Sequence, residues 1–172
     1  SYELQGIHWQ HDNQNEEQKQ RTGPVVACLD TSGSMSGKPL MKAKALLLAI
    51  ATILKRENRS LHILLFSSSS QIKEYSLNSS KQIVGLLQFL QQGFGGGTDF
   101  EAPLRRAIEI IQKQPDYFKS DVLMISDGDA QVSDAFEQTF RVQKAQIGCA
   151  VYSVLCNGSR SQDNFSDEVI SI

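Results

Sequence analysis

Three short segments carry most of the oxygen chemistry in this chain: Asp30-Thr31-Ser32-Gly33-Ser34, Gly97-Thr98-Asp99 and Ser126-Asp127-Gly128. Asp30, Ser32, Ser34, Thr98 and Asp127 together offer two carboxylates and three hydroxyls. An all-oxygen set suits a hard divalent cation, Mg²⁺ first, with Mn²⁺ or Ca²⁺ as substitutes, and disfavours zinc or copper. Two carboxylates balance the charge of such an ion. Neutral hydroxyls leave it electrophilic, so a further carboxylate from outside is a welcome ligand. Each segment alone has a plainer explanation: a Ser/Gly turn, a helix cap at Thr98 or Asp99, and a strand-ending Asp-Gly. Their order on one scaffold is what favours a metal site.

That scaffold follows from hydrophobic patterning. Residues 25–29 form a short apolar run, expected to be a buried parallel strand that ends at Asp30. Pro39 suits the first turn of a helix over residues 40–56, with Ala43, Leu47, Ile50 and Leu54 on one face and a middle apolar enough to be buried all round. Residues 61–66 read as a second strand, 71–77 as an exposed, antiparallel edge strand, and 81–91 as a helix. The glycines at 93, 95, 96 and 97 make a turn before a helix with Pro103 in its first turn and Leu104, Ala107, Ile108 and Ile111 at helical spacing. Residues 122–126 are a further strand ending at Asp127. Asp134 with Glu137 predicts a boxed helix start. Residues 150–155 are a strand, and residues 169–172 begin a last one. The expected fold is α/β: a doubly wound, mainly parallel sheet covered on both faces, with one antiparallel edge. In such a sheet the binding crevice lies beyond the carboxyl ends of strands, where Asp30 and Asp127 both stand. Gly33 is expected to let the chain fold back so that Ser32 and Ser34 point the same way as Asp30.

The 172 residues fit one domain at 23–172, expected to be truncated at its C-terminal end, after a polar arm at 1–22. Tyr2, Leu4, Ile7 and Trp9 in that arm are suited to packing on a neighbouring surface. The net charge of −2 gives no general pull toward nucleic acid. No apolar run is long enough to span a bilayer. Three cysteines, an odd count with no C-x-x-C, argue against a disulfide framework or a zinc site and suit a reducing compartment.

Competing chemistries fare worse. Gly33 to Lys38 spaces its glycines one residue too closely for a phosphate loop and is followed by Pro39. A serine hydrolase lacks its G-x-S-x-G elbow, and His62 falls inside a strand. The serious enzyme alternative is a Mg²⁺-dependent phosphotransferase or phosphatase with Asp30 as nucleophile. Enzymes of the haloacid dehalogenase type want a second Asp two residues on, where this chain has Ser32.

Asp30-x-Ser32-x-Ser34, Thr98 and Asp127 resemble the metal-ion-dependent adhesion site of von Willebrand factor A domains. Gly23-Pro24 with VVACLDTSGSMSG, then FGGGTDF at 94–100 and VLMISDGDA at 122–130, is similar to the bacterial CoxE/ViaA-like subgroup, as is YELQGIHW before the domain. The resemblance implies that both serines bind the metal directly. Thr98 and the two aspartates would bind directly or through water, and a partner's Asp or Glu would complete the shell. It further implies a cytoplasmic, non-enzymatic factor that works with a MoxR-type AAA+ ATPase in assembly or maturation of a client protein. Asp99 and Asp129 lie beside the expected ligands and are candidates for shaping partner choice. Met35, inside the metal loop, is expected at an apolar rim, whereas Phe100 suits the core.

Overall fold

The computed structural model describes residues 23–68, 71–78, 83–117, 119–128, 130–157 and 165–172. Six strands form one sheet: β1 Val25–Asp30, β2 Leu61–Phe66, β3 Ile72–Leu77, β4 Asp121–Ser126, β5 Ala150–Leu155 and β6 Glu168–Ser171. Four helices accompany them: α1 Lys38–Arg56, α2 Ile83–Phe89, α3 Glu101–Lys113 and α4 Asp134–Ile147. The spatial order is β3-β2-β1-β4-β5-β6. β3 runs antiparallel to β2, and every other pairing is parallel. The chain winds outward from β1 through β2 to β3, then returns and winds the other way from β4. Strand order therefore reverses between β1 and β4, at the centre of the sheet.

All six residues of β1 are buried, because helices cover both of its faces. The two-residue period divides them. Val25, Ala27 and Leu29 pack in one core with Ala43, Leu47, Ala51 and Leu54 of α1 and Leu86 and Phe89 of α2. Val26 and Cys28 face the other core, against Leu104, Ala107 and Ile108 of α3 and Phe136 and Phe140 of α4. Phe100 is fully buried there, as its sequence context suggested. The three cysteines are free and buried.

Several local expectations need correction. α1 is buried along one stripe, not all round: Met41 and Ile53 stand exposed, and Ile50 is only half-buried. Its apolar middle outruns the single sheet face available to it. Pro39 does sit in the first turn, but the cap is Gly37 with φ of 86°, a conformation that suits glycine. α4 is capped by Ser133, whose hydroxyl accepts from Phe136 N at 3.2 Å, and Asp134 is its first residue. A serine one position earlier reaches the free backbone N–H with a shorter side chain. α2 is described over Ile83–Phe89, with the expected start at residues 81–82 outside the described residues. His62 behaves as a strand residue, pairing with Glu74 across β2 and β3 at 2.9 Å.

Candidate metal centre

Asp30 ends β1 opposite Phe66 of β2, and Leu29 pairs with Ile125 of β4. Parallel register thus brings Asp30 level with Ser126 at the point where strand order reverses. Asp30 is fully buried, and both of its carboxylate oxygens are oriented by donors. Ser32 N donates to Oδ1 at 2.8 Å, closing a tight turn immediately after the strand. The Ser126 hydroxyl donates to Oδ2 at 2.8 Å from the end of β4. Ser126 Oγ in turn accepts from Gly128 N at 3.0 Å, so one hydroxyl fixes both Asp30 and the turn that carries Asp127.

Burial pushes the Asp30 pKa up, the hydrogen bonds from Ser32 and Ser126 pull it down, and the Asp127 carboxylate pushes it up again. Burial dominates. The Asp127 carboxylate is the smallest of these effects on Asp30. Ser32 Oγ and Ser34 Oγ lie 3.2 Å apart, which places two hydroxyl oxygens side by side beyond Asp30. Ser32 is buried and Ser34 exposed, so the pair leads from the carboxylate to the surface. Gly33 does not need a special backbone to arrange this. It opens a short 3₁₀ turn, Gly33–Met35, and a Cβ there would meet Gly96 at ordinary contact distance.

The glycine loop after α2 is tied to this turn from above. Gly33 N donates to Gly96 O and Gly95 N to Thr31 O, both at 2.9 Å. Thr31 Oγ1 donates to Phe66 O at 2.9 Å and accepts from Phe94 N at 3.2 Å. Ser67 secures the other side. Its hydroxyl contacts the carbonyls of Gly95 and Gly97, and its own carbonyl accepts from Asp99 N at 2.8 Å. Gly95 and Gly96 hold φ of 71° and 78°, which lets two successive peptides turn tightly. Half-buried Thr98 sits within this tied loop, two residues from the Gly96 contact.

The structure thus brings Asp30, Ser32, Ser34 and Asp127 to one edge and fastens the Thr98 loop against it. Asp99 serves the fold locally, since one of its carboxylate oxygens accepts from Glu101 N at 2.9 Å at the start of α3. Met35 is not at the rim. It is fully buried in the α1 core, because the 3₁₀ turn rotates it inward. Asp129 lies outside the described residues. Sequence reasoning passed over the orienting roles of Ser126, Ser67 and Thr31. A small hydroxyl residue at the end of an apolar strand was the signal for the first two, and Thr31 lay within the motif itself.

The donor set fits a divalent oxygen-seeking cation. A buried carboxylate held by two hydrogen bonds, a second carboxylate of the same sign acting on it, and a hydroxyl pair at one edge leave negative charge that a cation would offset. Among the described residues no group of three or more His, Cys, Asp or Glu gathers to hold a metal ion, and the candidate site itself has two carboxylates with hydroxyls beside them. Cys156 lies close enough to feel both aspartates and Lys42, but burial chiefly raises its thiol pKa, to about 11, which suits a packed thiol.

Comparisons agree with this architecture. Residues 25–130 match the family model described as von Willebrand factor type A domain. The chain is 34% identical over 164 residues to an uncharacterized protein of Methanocaldococcus jannaschii, covering 94% of this chain and 37% of that protein. It is 37% identical over 137 residues to the regulatory protein ViaA of Edwardsiella ictaluri, covering 76% of this chain and 28% of ViaA. The chain thus spans about a third of the length of these relatives. The crystal structure of conserved hypothetical protein BatB from Bacteroides thetaiotaomicron superposes with a TM-score of 0.66 at 14% identity, over 87% of this chain and 90% of that one. The chain belongs to the von Willebrand factor type A domain family.

Proposed function

We propose that this domain is a divalent-cation-dependent protein-binding module, and not an enzyme. Asp30, Ser32, Ser34, Thr98 and Asp127 would hold Mg²⁺, or Mn²⁺ or Ca²⁺ in its place. The observation that carries the reading is the buried Asp30 carboxylate, oriented at both oxygens and pressed by Asp127, beside the Ser32–Ser34 hydroxyl pair. When bound, the cation would supply a fixed electrophilic centre for an Asp or Glu of a partner protein. The residues of this chain do the rest. Ser126 and the Ser32 backbone keep the Asp30 oxygens aimed, and Ser67 and Thr31 hold the glycine loop in place. Exposed Ser34 leaves that edge open to solvent, where a partner can approach.

Similarity to ViaA, whose name marks it as a regulatory protein, supports protein partners. On that basis the full-length protein would act in the cytoplasm as a CoxE/ViaA-like factor with a MoxR-type AAA+ ATPase, assembling or maturing a client. No described helix is long and apolar enough to cross a membrane. Nucleophilic attack on phosphorus by Asp30 is the rival reading. It is disfavoured because Ser32, where an acid/base carboxylate would be needed, uses its backbone to orient Asp30.

The test is association of the full-length protein with a co-encoded ATPase or its client, with Mg²⁺ and with EDTA. Binding that needs the metal and disappears in Asp127→Ala is the expected result. Metal-independent association, or aryl phosphate turnover abolished by Asp30→Asn, would contradict the proposal.

A further inference from the structure

The two faces of the sheet are covered unequally among the described residues. α3 and α4 pack on one face. On the other, α2 lies over β3 and α1 over the centre of the sheet, at β1 and β4. Beyond α1 the sheet opens into a groove of about 360 Å³. Leu46 and Ile50 of α1 form one wall, Leu123 and Val154 the floor, and Ile170 and Ile172 the far side. The register that pairs Val154 with Ile170 sets these side chains on one face. Ile170 and Ile172 are 46% and 42% exposed.

One end of this groove is where the polypeptide enters the domain. Arg59 and Asp121 line the groove together with Val25. Arg59 Nε donates to Gly23 O at 2.8 Å, and Asp121 N donates to Pro24 O at 3.2 Å. Residues 1–22 are therefore tethered at the groove's own wall. Their composition is uneven: Tyr2, Leu4, Ile7 and Trp9 come first, and residues 10–22 carry no large apolar side chain. At ~3.3 Å per residue, residues 10–22 can span roughly 40 Å, which exceeds the ~20 Å length of a six-residue strand. The tether is long enough to return the apolar cluster to any point of the groove.

We propose that the segment Tyr2–Trp9 is the occupant of this groove, so that the N-terminal arm packs on the sheet face beyond α1, along β5 and β6. Tyr2 and Trp9 are amphipathic aromatics, suited to a groove with an apolar floor and a charged end at Arg59 and Asp121. Docking removes Ile170, Ile172 and the arm's own apolar residues from water together, which is the source of the favourable free energy.

Trp9 is the only tryptophan of the chain, so its fluorescence reports on the arm alone. In the 172-residue chain, Trp9 emission is expected at short wavelength, with acrylamide quenching several-fold weaker than in the denatured chain. Ile170→Lys combined with Ile172→Lys should move the emission red and restore quenching. Both positions are solvent-facing enough to accept lysine, and unchanged far-UV circular dichroism verifies the fold. Val142→Lys, at an exposed site on α4 and the opposite face, should leave the spectrum unchanged. A water-exposed Trp9 in the folded parent would overturn the proposal. So would a blue-shifted Trp9 indifferent to the groove variant, which would place the arm elsewhere. A shift that appears only as protein concentration rises would overturn it in favour of a second copy as occupant.

Discussion

The Ser126 hydroxyl donates to Asp30 Oδ2 at 2.8 Å, joining the ends of the two strands between which the sheet reverses its winding. The contact crosses 96 positions of sequence and is buried. Ser126→Ala removes the hydrogen bonds that its hydroxyl makes with Asp30 Oδ2 and Gly128 N. The expected cost is about 1–3 kcal/mol in chemical denaturation, because a buried polar group loses its hydrogen bond. Mg²⁺ affinity should fall about tenfold, equivalent to ~1.4 kcal/mol, as Asp30 and the Asp127 turn lose their shared anchor. Unchanged affinity with normal stability would show that Ser126 does not orient the site.

Met35 and Met41 separate position in the motif from role in the fold. Met35 lies inside the metal loop yet is fully buried, whereas Met41 in the first turns of α1 is 71% exposed. Met35→Ala should destabilise the domain by about 2–5 kcal/mol through cavity formation. Met41→Ala should stay within about 0.5 kcal/mol. Denaturant unfolding of the two variants decides between this assignment and the rim position that the sequence suggested for Met35.

The strands, their order of type and the two aspartates at strand ends were legible in the sequence because buried parallel strands leave continuous apolar runs. Val25 to Leu29 and Val122 to Ile125 are such runs, and each stops at an oxygen-bearing turn. The antiparallel edge was legible from the mixed polarity of Ile72 to Leu77. The inward rotation of Met35 was not, since it depends on a 3₁₀ turn set by the Gly33–Gly96 contact between distant loops. The cap at Ser133 was missed because two neighbouring residues can both cap, and only backbone geometry chooses between them. Ser67 carried only the signal of a hydroxyl at a strand end, because its hold on the glycine loop exists only after β2 and that loop have come together.

Asp30 gives the metal-free domain a pH signature. Its folded pKa is raised above the unfolded value, chiefly by burial. The native state therefore binds the proton more tightly, and the stability this group contributes is present in full below the ordinary carboxylate range. It is lost as pH rises through the raised folded value. Asp30→Asn should remove that acid-side advantage and flatten the metal-free stability profile there. In the parent, Mg²⁺ competes with the proton, so apparent affinity should rise with pH across the same window and then level off. Affinity independent of pH throughout would contradict the placement of Asp30 in the site.

Glu74 behaves oppositely. Its pKa is lowered, first by hydrogen bonding to Arg106, which it meets at 2.6 and 3.1 Å, and further by His62. Its stabilising contribution exists above the ordinary glutamate value and is lost as pH falls through the depressed one. Because the pair is partly solvated, Glu74→Gln should cost no more than about 1 kcal/mol at neutral pH. The loss should shrink on acidification when thermal unfolding is followed against pH. A cost that grows at low pH would show the pairing to be misassigned.

The most direct test of the metal centre is calorimetric titration of the metal-free protein with Mg²⁺ and Mn²⁺, beside Asp127→Ala and Asp30→Asn. Single-site binding in the parent, lost in both variants with folding intact by circular dichroism, is the expected result. Binding that persists unchanged in both variants would contradict a site built on these two aspartates. So would a parent that takes up neither ion even in the presence of saturating acetate as a surrogate partner carboxylate.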